Sequence, residues 1–88
     1  MEDLERLRSL GERFRNRLSD QEINFSLGYI DFNEASLALD VLCNYLFERG
    51  ASISKDEYGE ISLLNGNFGA PLGKKTLLCL KSLICACR

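Results

Sequence analysis

Histidine is absent from this 88-residue chain, proline occurs once, at Pro71, and no apolar run approaches the length of a membrane span. Each absence excludes a class of function. Without histidine the chain lacks the commonest general base and the usual activator of a cysteine nucleophile. Carboxylates are plentiful, but none stands in a recognisable catalytic motif. There is no G-x-x-x-x-G-K-[ST] phosphate loop, no G-x-G-x-x-G fingerprint and no metal-ligand run. The sequence argues against an enzyme. The longest apolar stretches, such as Leu77 to Leu80, fall far short of the roughly 20 residues that cross a bilayer. The first residues, Met1-Glu2-Asp3-Leu4-Glu5-Arg6, lack the basic start and apolar centre of a secretory signal, so a cytoplasmic protein is expected.

Four cysteines, Cys43, Cys79, Cys85 and Cys87, are enough in number for two disulfides or one zinc site. A reducing compartment favours free thiols. Structural zinc sites draw ligands from close pairs such as C-x2-C, whereas the one close pair here is Cys85-Ala86-Cys87. Partly buried cysteines on helix faces are expected, with no metal and no cofactor.

What is present is ordinary globular material, 45% hydrophobic and 27% charged. The length suits one domain, and no repeat or low-complexity tract divides it, so residues 1–88 read as a single helical domain. From Asp3 to Leu18, apolar residues at Leu4, Leu7, Leu10, Phe14 and Leu18 follow the three-and-four spacing of one helical stripe, with charge on the opposite face. Ser19-Asp20-Gln21-Glu22 has the S-x-x-E form of a capping box and opens a second helix. That helix carries Ile23, Leu27 and Ile30 on one side and Phe25, Tyr29 and Phe32 on the other, although alternation from Ile23 to Tyr29 also fits a strand. A turn is expected at Asp31-Phe32-Asn33, whose two Asx residues can cap the next helix.

The helix at about 34–49 has the strongest pattern. Ala35, Ala38, Leu39, Leu42, Tyr45 and Leu46 fill one broad face, extended by Leu37 and Val41, so the other helices should pack around it. Its narrow polar strip holds Asn33, Asp40, Asn44 and Glu48, and residues four apart are neighbours on a helix surface. Gly50 then supplies a helix-ending position. Ser54-Lys55-Asp56-Glu57 is a second capping box, opening a short helix with Tyr58, Ile61 and Leu64 inward. Asn65-Gly66 should break it and begin a loop-rich segment at about 65–73. Lys74 to Cys87 reads as a final helix with Leu77, Leu80, Ile84 and Cys87 inward, although Thr76 to Leu80 also fits the start of a strand. The expected fold is all-α, a small bundle of four to five helices around the central one.

The net charge of −2 conceals a segregation. Residues 1–18 hold four acids and five arginines. Residues 19–60 hold nine acids (Asp20, Glu22, Asp31, Glu34, Asp40, Glu48, Asp56, Glu57, Glu60) against Arg49 and Lys55, and residues 61–88 hold only bases. Phosphates would meet a like-signed surface at the centre, which argues against nucleic acid there. A cationic protein would be attracted. Helix N-termini favour acids in any case, which accounts for Asp20, Glu22, Glu34, Asp56 and Glu57 but not for Asp40, Glu48 or Glu60.

The block Asn33 to Glu48, with Leu37-Ala38-Leu39-Asp40-Val41-Leu42-Cys43 at its centre, followed by Ile53-Ser54-Lys55-Asp56-Glu57-Tyr58, resembles the core of the MafI family of immunity proteins. The likeness extends more weakly to Ile23–Ile30, and after Leu64 the chain departs from the family pattern. The resemblance implies a cytoplasmic helical protein that binds and blocks a cognate toxin domain of a polymorphic, contact-dependent system. Such toxins are frequently nucleases, whose cationic groove an acidic inhibitor can occupy. Glu34, Asp40, Cys43 and Glu48 match the family block. The carboxylates are expected to contact the toxin and Cys43 to lie in the core, while Asn44 and Tyr45 sit where the family often has an acid or amide and then a larger side chain. The expected partner-binding set is Asp31, Glu34, Asp40, Asn44, Glu48 and Glu60. Two rival readings are a helical adaptor or oligomerisation module using Phe47, Leu63 and Leu72, and a nucleic-acid-binding regulator using Arg13, Arg15 and Arg17.

Overall fold

A computed structural model describes residues 2–84. The chain forms α1 (Glu2–Arg13), a 3₁₀ turn (Phe14–Asn16), α2 (Asp20–Asp31), α3 (Ala35–Arg49), α4 (Lys55–Asn67) and α5 (Lys74–Lys81). The all-α expectation holds: among the described residues the only β pairing is one isolated parallel bridge between Ile53 and Ile84.

Polar contacts fix the directions of the first four helices. Arg8 meets Asp31 and Arg15 meets Asp20, so α1 and α2 run antiparallel. Arg49 meets Glu22 and Ser36 meets Phe68, which sets α3 antiparallel to both α2 and α4. Arg6 meets Glu60 and Asn67 meets Asp3, closing α4 against α1. The result is an up-down-up-down square in which short loops join adjacent helices. α5 lies outside it against α3 and α4. Only α3 touches all four other helices, because its broad apolar face sits on the bundle's short diagonal, whereas α2 touches α1, the 3₁₀ turn and α3. Leu39, Leu42, Cys43 and Leu46 of α3 are fully buried with Leu7, Phe14, Ile23, Ile61, Leu64 and Leu80 from the other elements. The α1–α2 crossing is close at Gly11, where a Cβ would meet the end of the Leu27 side chain at 2.9 Å and that side chain would have to shift.

Both capping boxes form as read, with Ser19 accepting from the Glu22 N–H and Ser54 from the Glu57 N–H, each glutamate returning a bond to the cap backbone. The helix ends share a second device. After α2 the Asn33 N–H donates to Ile30 O and the Glu34 N–H to Tyr29 O, with Asn33 at φ 64°. After α3 the Gly50 and Ala51 N–H groups donate to Phe47 O and Leu46 O, with Gly50 at φ 60°. After α4 the Gly69 and Ala70 N–H groups donate to Gly66 O and Asn65 O, with Gly69 at φ 85°. These are three Schellman motifs, each built on a residue that tolerates the left-handed region.

Several boundaries differ from expectation. α1 stops at Arg13 and tightens into the 3₁₀ turn, where the Phe14 carbonyl accepts from both Arg17 and Leu18. The Asx residues at 31 and 33 do not cap α3. Its N-cap is Glu34 without a side-chain bond, because Asn33 is spent on ending α2 and Asp31 pairs with Arg8. α4 runs through Asn65-Gly66 to Asn67, so the loop is shorter than 65–73. Asn65 is buried and its side-chain oxygen accepts from the Leu72 N–H at 2.8 Å, making it a latch for the returning chain. α5 ends at Lys81, where Leu83 and Ile84 turn so that the Leu83 carbonyl can accept from the Ile53 N–H. Cys85 and Cys87 lie outside the described residues.

Candidate functional site

The charged side chains divide by type. All six arginines among the described residues hold a carboxylate: Arg6 on Glu60, Arg8 on Asp31, Arg13 and Arg17 on Glu57, Arg15 on Glu12 and Asp20, Arg49 on Glu22. None of Lys55, Lys74, Lys75 or Lys81 forms an ion pair among those residues. The arginine fork suits fixed bidentate pairing and the lysine ammonium suits hydration.

Glu57 is the centre of the largest pairing. Its side chain is 1% exposed, yet it accepts from Arg17 at 2.6 Å and from the Ser54 N–H at 2.8 Å, with the Arg13 guanidinium at 3.4 Å. Arg17 also lies over the Phe14 ring, 5.1 Å from its centroid. Burial pushes the Glu57 carboxyl up, but the hydrogen bonds from Arg17 and Ser54 and the two guanidinium charges outweigh it and hold the group below its usual value. A buried carboxylate so held keeps α1 on α4; its polar atoms are satisfied, and no buried side-chain polar atom in the described structure lacks a partner. Sequence reasoning assigned Glu57 to a helix cap and missed this second role. The signal was present in the seven-residue spacing of Arg6 and Arg13 and of Arg8 and Arg15, which places one pair on the α4 seam and the other on the α2 seam.

Pairing removes Asp20, Glu22, Asp31, Glu57 and Glu60 from the nine central acids and leaves Glu34, Asp40, Glu48 and Asp56 without an ion pair among the described residues. The six expected partner-binding residues therefore separate. Asp31 pairs with Arg8 across the α1–α2 seam and Glu60 with Arg6 across the α1–α4 seam, so both carboxylates already hold an arginine. Glu34 is exposed at the start of α3. Asp40, Asn44 and Glu48 stand together on the outward side of α3, where two helical steps of four span about 12 Å. Asn44 and Glu48 are exposed and Asp40 is half-buried. Two of the four unpaired central acids thus stand on this strip.

Its surroundings are mixed. Asn44 lines a shallow groove with Phe47 of α3 and Lys75, Thr76 and Cys79 of α5, so a base borders the acidic strip on one side. On the other side the α2–α3 hairpin carries exposed aromatics, Phe25 at 54% and Phe32 at 78%. Cys43, which the resemblance assigned to the core, is fully buried, and burial together with the Asp40 charge pushes its thiol far up, away from thiolate chemistry. Among the described residues no group of three or more potential ligands is placed to hold a metal ion.

Of the rival surfaces, Leu72 is 3% exposed and belongs to the core, while Phe47 and Leu63 are half exposed. Arg13, Arg15 and Arg17 are each engaged by a carboxylate, so a phosphate at these arginines would meet Glu57, Glu12 or Asp20 beside them. No described helix is long and apolar enough to cross a membrane. Comparison with protein-family models, with curated proteins and with solved structures gives no match for the chain.

Proposed function

We propose that the chain is a cytoplasmic immunity protein that binds one secreted bacterial toxin domain, a cationic nuclease of a contact-dependent polymorphic toxin system, and blocks it by covering its active or substrate-binding surface without catalysing a reaction itself. The observation that carries this reading is the α3 strip: Asp40, Asn44 and Glu48 face outward with no ion pair among the described residues, on the helix that bears the MafI-like block. A strip of carboxylate and amide oxygens on a rigid central helix offers a cationic groove what phosphates offer it, with the helix itself held by the core. Long-range attraction speeds encounter, and the contacts of the strip set the lifetime of the complex.

The test is reconstitution with the toxin domain whose reading frame ends immediately before this one. Co-expression is expected to restore growth, and the purified proteins should form a one-to-one complex at sub-micromolar concentration. No complex at micromolar concentration and no rescue would sink the proposal. A second reading, a helical adaptor with no toxin partner, draws on the exposure of Phe25, Phe32 and Phe47. It predicts binding that is indifferent to charge substitutions on α3.

A further inference from the structure

We infer that α5 is a strap that opens and closes as one unit while the four-helix square beneath it stays folded, with its hinge at residues 69–73 and its clasp where Leu83 and Ile84 meet Ile53. α5 is held quite differently from the other helices. It lies outside the square and touches α3 and α4 alone. At eight residues it is shorter than the roughly 12 that an isolated helix needs to persist in water. Its start is the weakest of the capped helices. Ser19 and Ser54 cap α2 and α4 through their side chains, whereas Gly73 takes the same extended backbone (φ −78°, ψ 166°, against φ −92°, ψ 166° at Ser54) with no side chain to do so. Its first turn then puts Lys74 and Lys75 at the positive end of the helix dipole, where α2 and α4 carry acids. Leu80 is its one buried residue. α5 is therefore helical only while it is seated.

Each end of the strap is hydrogen-bonded to a single residue of the square. At the hinge, Gly69 at φ 85° and Ala70 at φ 57° stand one after the other in the left-handed region, which crowds the alanine side chain. Asn65 holds that reversal. Its backbone carbonyl accepts from the Ala70 N–H at 2.7 Å and its side-chain oxygen from the Leu72 N–H at 2.8 Å, with Leu72 buried. At the clasp the Ile53 N–H donates to the Leu83 carbonyl at 3.0 Å, and Ile53 and Ile84 form the parallel bridge. Once Leu80 leaves its seat, the strained hinge and the clasp have no helix between them to hold them in place, so both fastenings let go in the same event. The two states differ beside the α3 strip. Closed, the strap gives the groove at Asn44 and Phe47 its second wall of Lys75, Thr76 and Cys79. Open, it takes away that wall and with it Lys74, Lys75 and Lys81, so a ligand lodged in the groove selects the closed strap.

The inference stands apart from the toxin proposal, and either can fail alone. Native-state hydrogen exchange of the full chain tests it. The N–H groups of Leu72, Ser82 and Ile53, whose acceptors are Asn65, Leu78 and Leu83, should share one protection factor, at least about tenfold lower than that of the Leu42 and Leu46 N–H groups in α3. Lys74→Glu puts an acid at the start of α5 and should slow exchange at all three sites about threefold, Ile53 included. Ile23→Val weakens α2, which does not touch α5. It should speed exchange at Leu42 and Leu46 about fivefold and leave the three strap sites unchanged, because the square is folded in both strap states. Unequal protection among the three sites overturns the inference, as does an Ile53 N–H indifferent to Lys74→Glu, since the two ends would then loosen separately. Faster exchange at all three sites in Ile23→Val overturns it too, since α5 would then open only when the whole chain unfolds.

Discussion

The α1–α4 seam and the outer side of α3 use the same residue types to opposite ends. On the seam every acid that faces an arginine is taken. Glu57 is buried between Arg13, Arg17 and its own cap, and Glu60 holds Arg6. On α3, Asp40 and Glu48 have no such partner among the described residues, and Asn44 lies beside a groove rather than within a network. Charge that is spent inside a fold stabilises it, and charge left unspent is available to another molecule. The total acidity of the central segment thus says less about binding than the short strip that remains after the internal pairs are removed.

The comparison can be broken by substitution, and the largest effect should come from the seam. Glu57→Ala removes the capping box bond and the carboxylate that Arg13 and Arg17 share, and is expected to cost about 2 kcal/mol in denaturant unfolding. A loss under about 0.5 kcal/mol would mean that the buried pair is not what holds α1 to α4. Next is pH. The Glu57 carboxyl is held below its usual value of 4.5 in the folded chain, so its contribution is full above that value and is lost as pH falls through the lower folded one. Thermal unfolding followed from pH 7 to pH 3 should show stability dropping below about pH 4.5, and Glu57→Gln should flatten that part of the curve relative to wild type. Gly28→Ala, on the open face of α2, has nothing within 4 Å to disturb and should raise stability by about 0.8 kcal/mol through helix propensity. Smallest of all, Asp40→Ala and Glu48→Ala should move stability by no more than about 0.5 kcal/mol each, since they remove no ion pair.

How much of this was legible in the sequence depends on the range of the interaction. Local chemistry was readable: both S-x-x-E boxes form, Gly50 ends α3, and the apolar period of residues 34–49 marks the helix that touches all the others. Elements that depend on distant partners were not. Asn65-Gly66 reads as a break by local propensity, but Asn65 is buried and bonded to the Leu72 backbone, so tertiary contact carries α4 to Asn67. The end of α5 is set by Ile53, which lies far away in sequence and recruits the Leu83 carbonyl. Asn33 was read as a cap for the following helix, yet its left-handed backbone closes the preceding one. For the candidate site, the polar strip followed from helical spacing alone. That Asp31 and Glu60 are paired inside the chain could not be known without the α1 arginines that face them. The two apolar sides of α2 were also visible as a pattern, and the structure settles which one faces the core.

One paired measurement tests the account most directly: unfolding free energy and toxin affinity for Asp40→Ala, Asn44→Ala and Glu48→Ala combined in one chain. The account predicts stability within about 1 kcal/mol of wild type and affinity for the toxin domain weakened at least tenfold in calorimetric titration. An unchanged affinity would contradict it by showing that the unspent strip on α3 is not the binding surface. A collapse in stability would contradict it equally, since the strip would then belong to the fold.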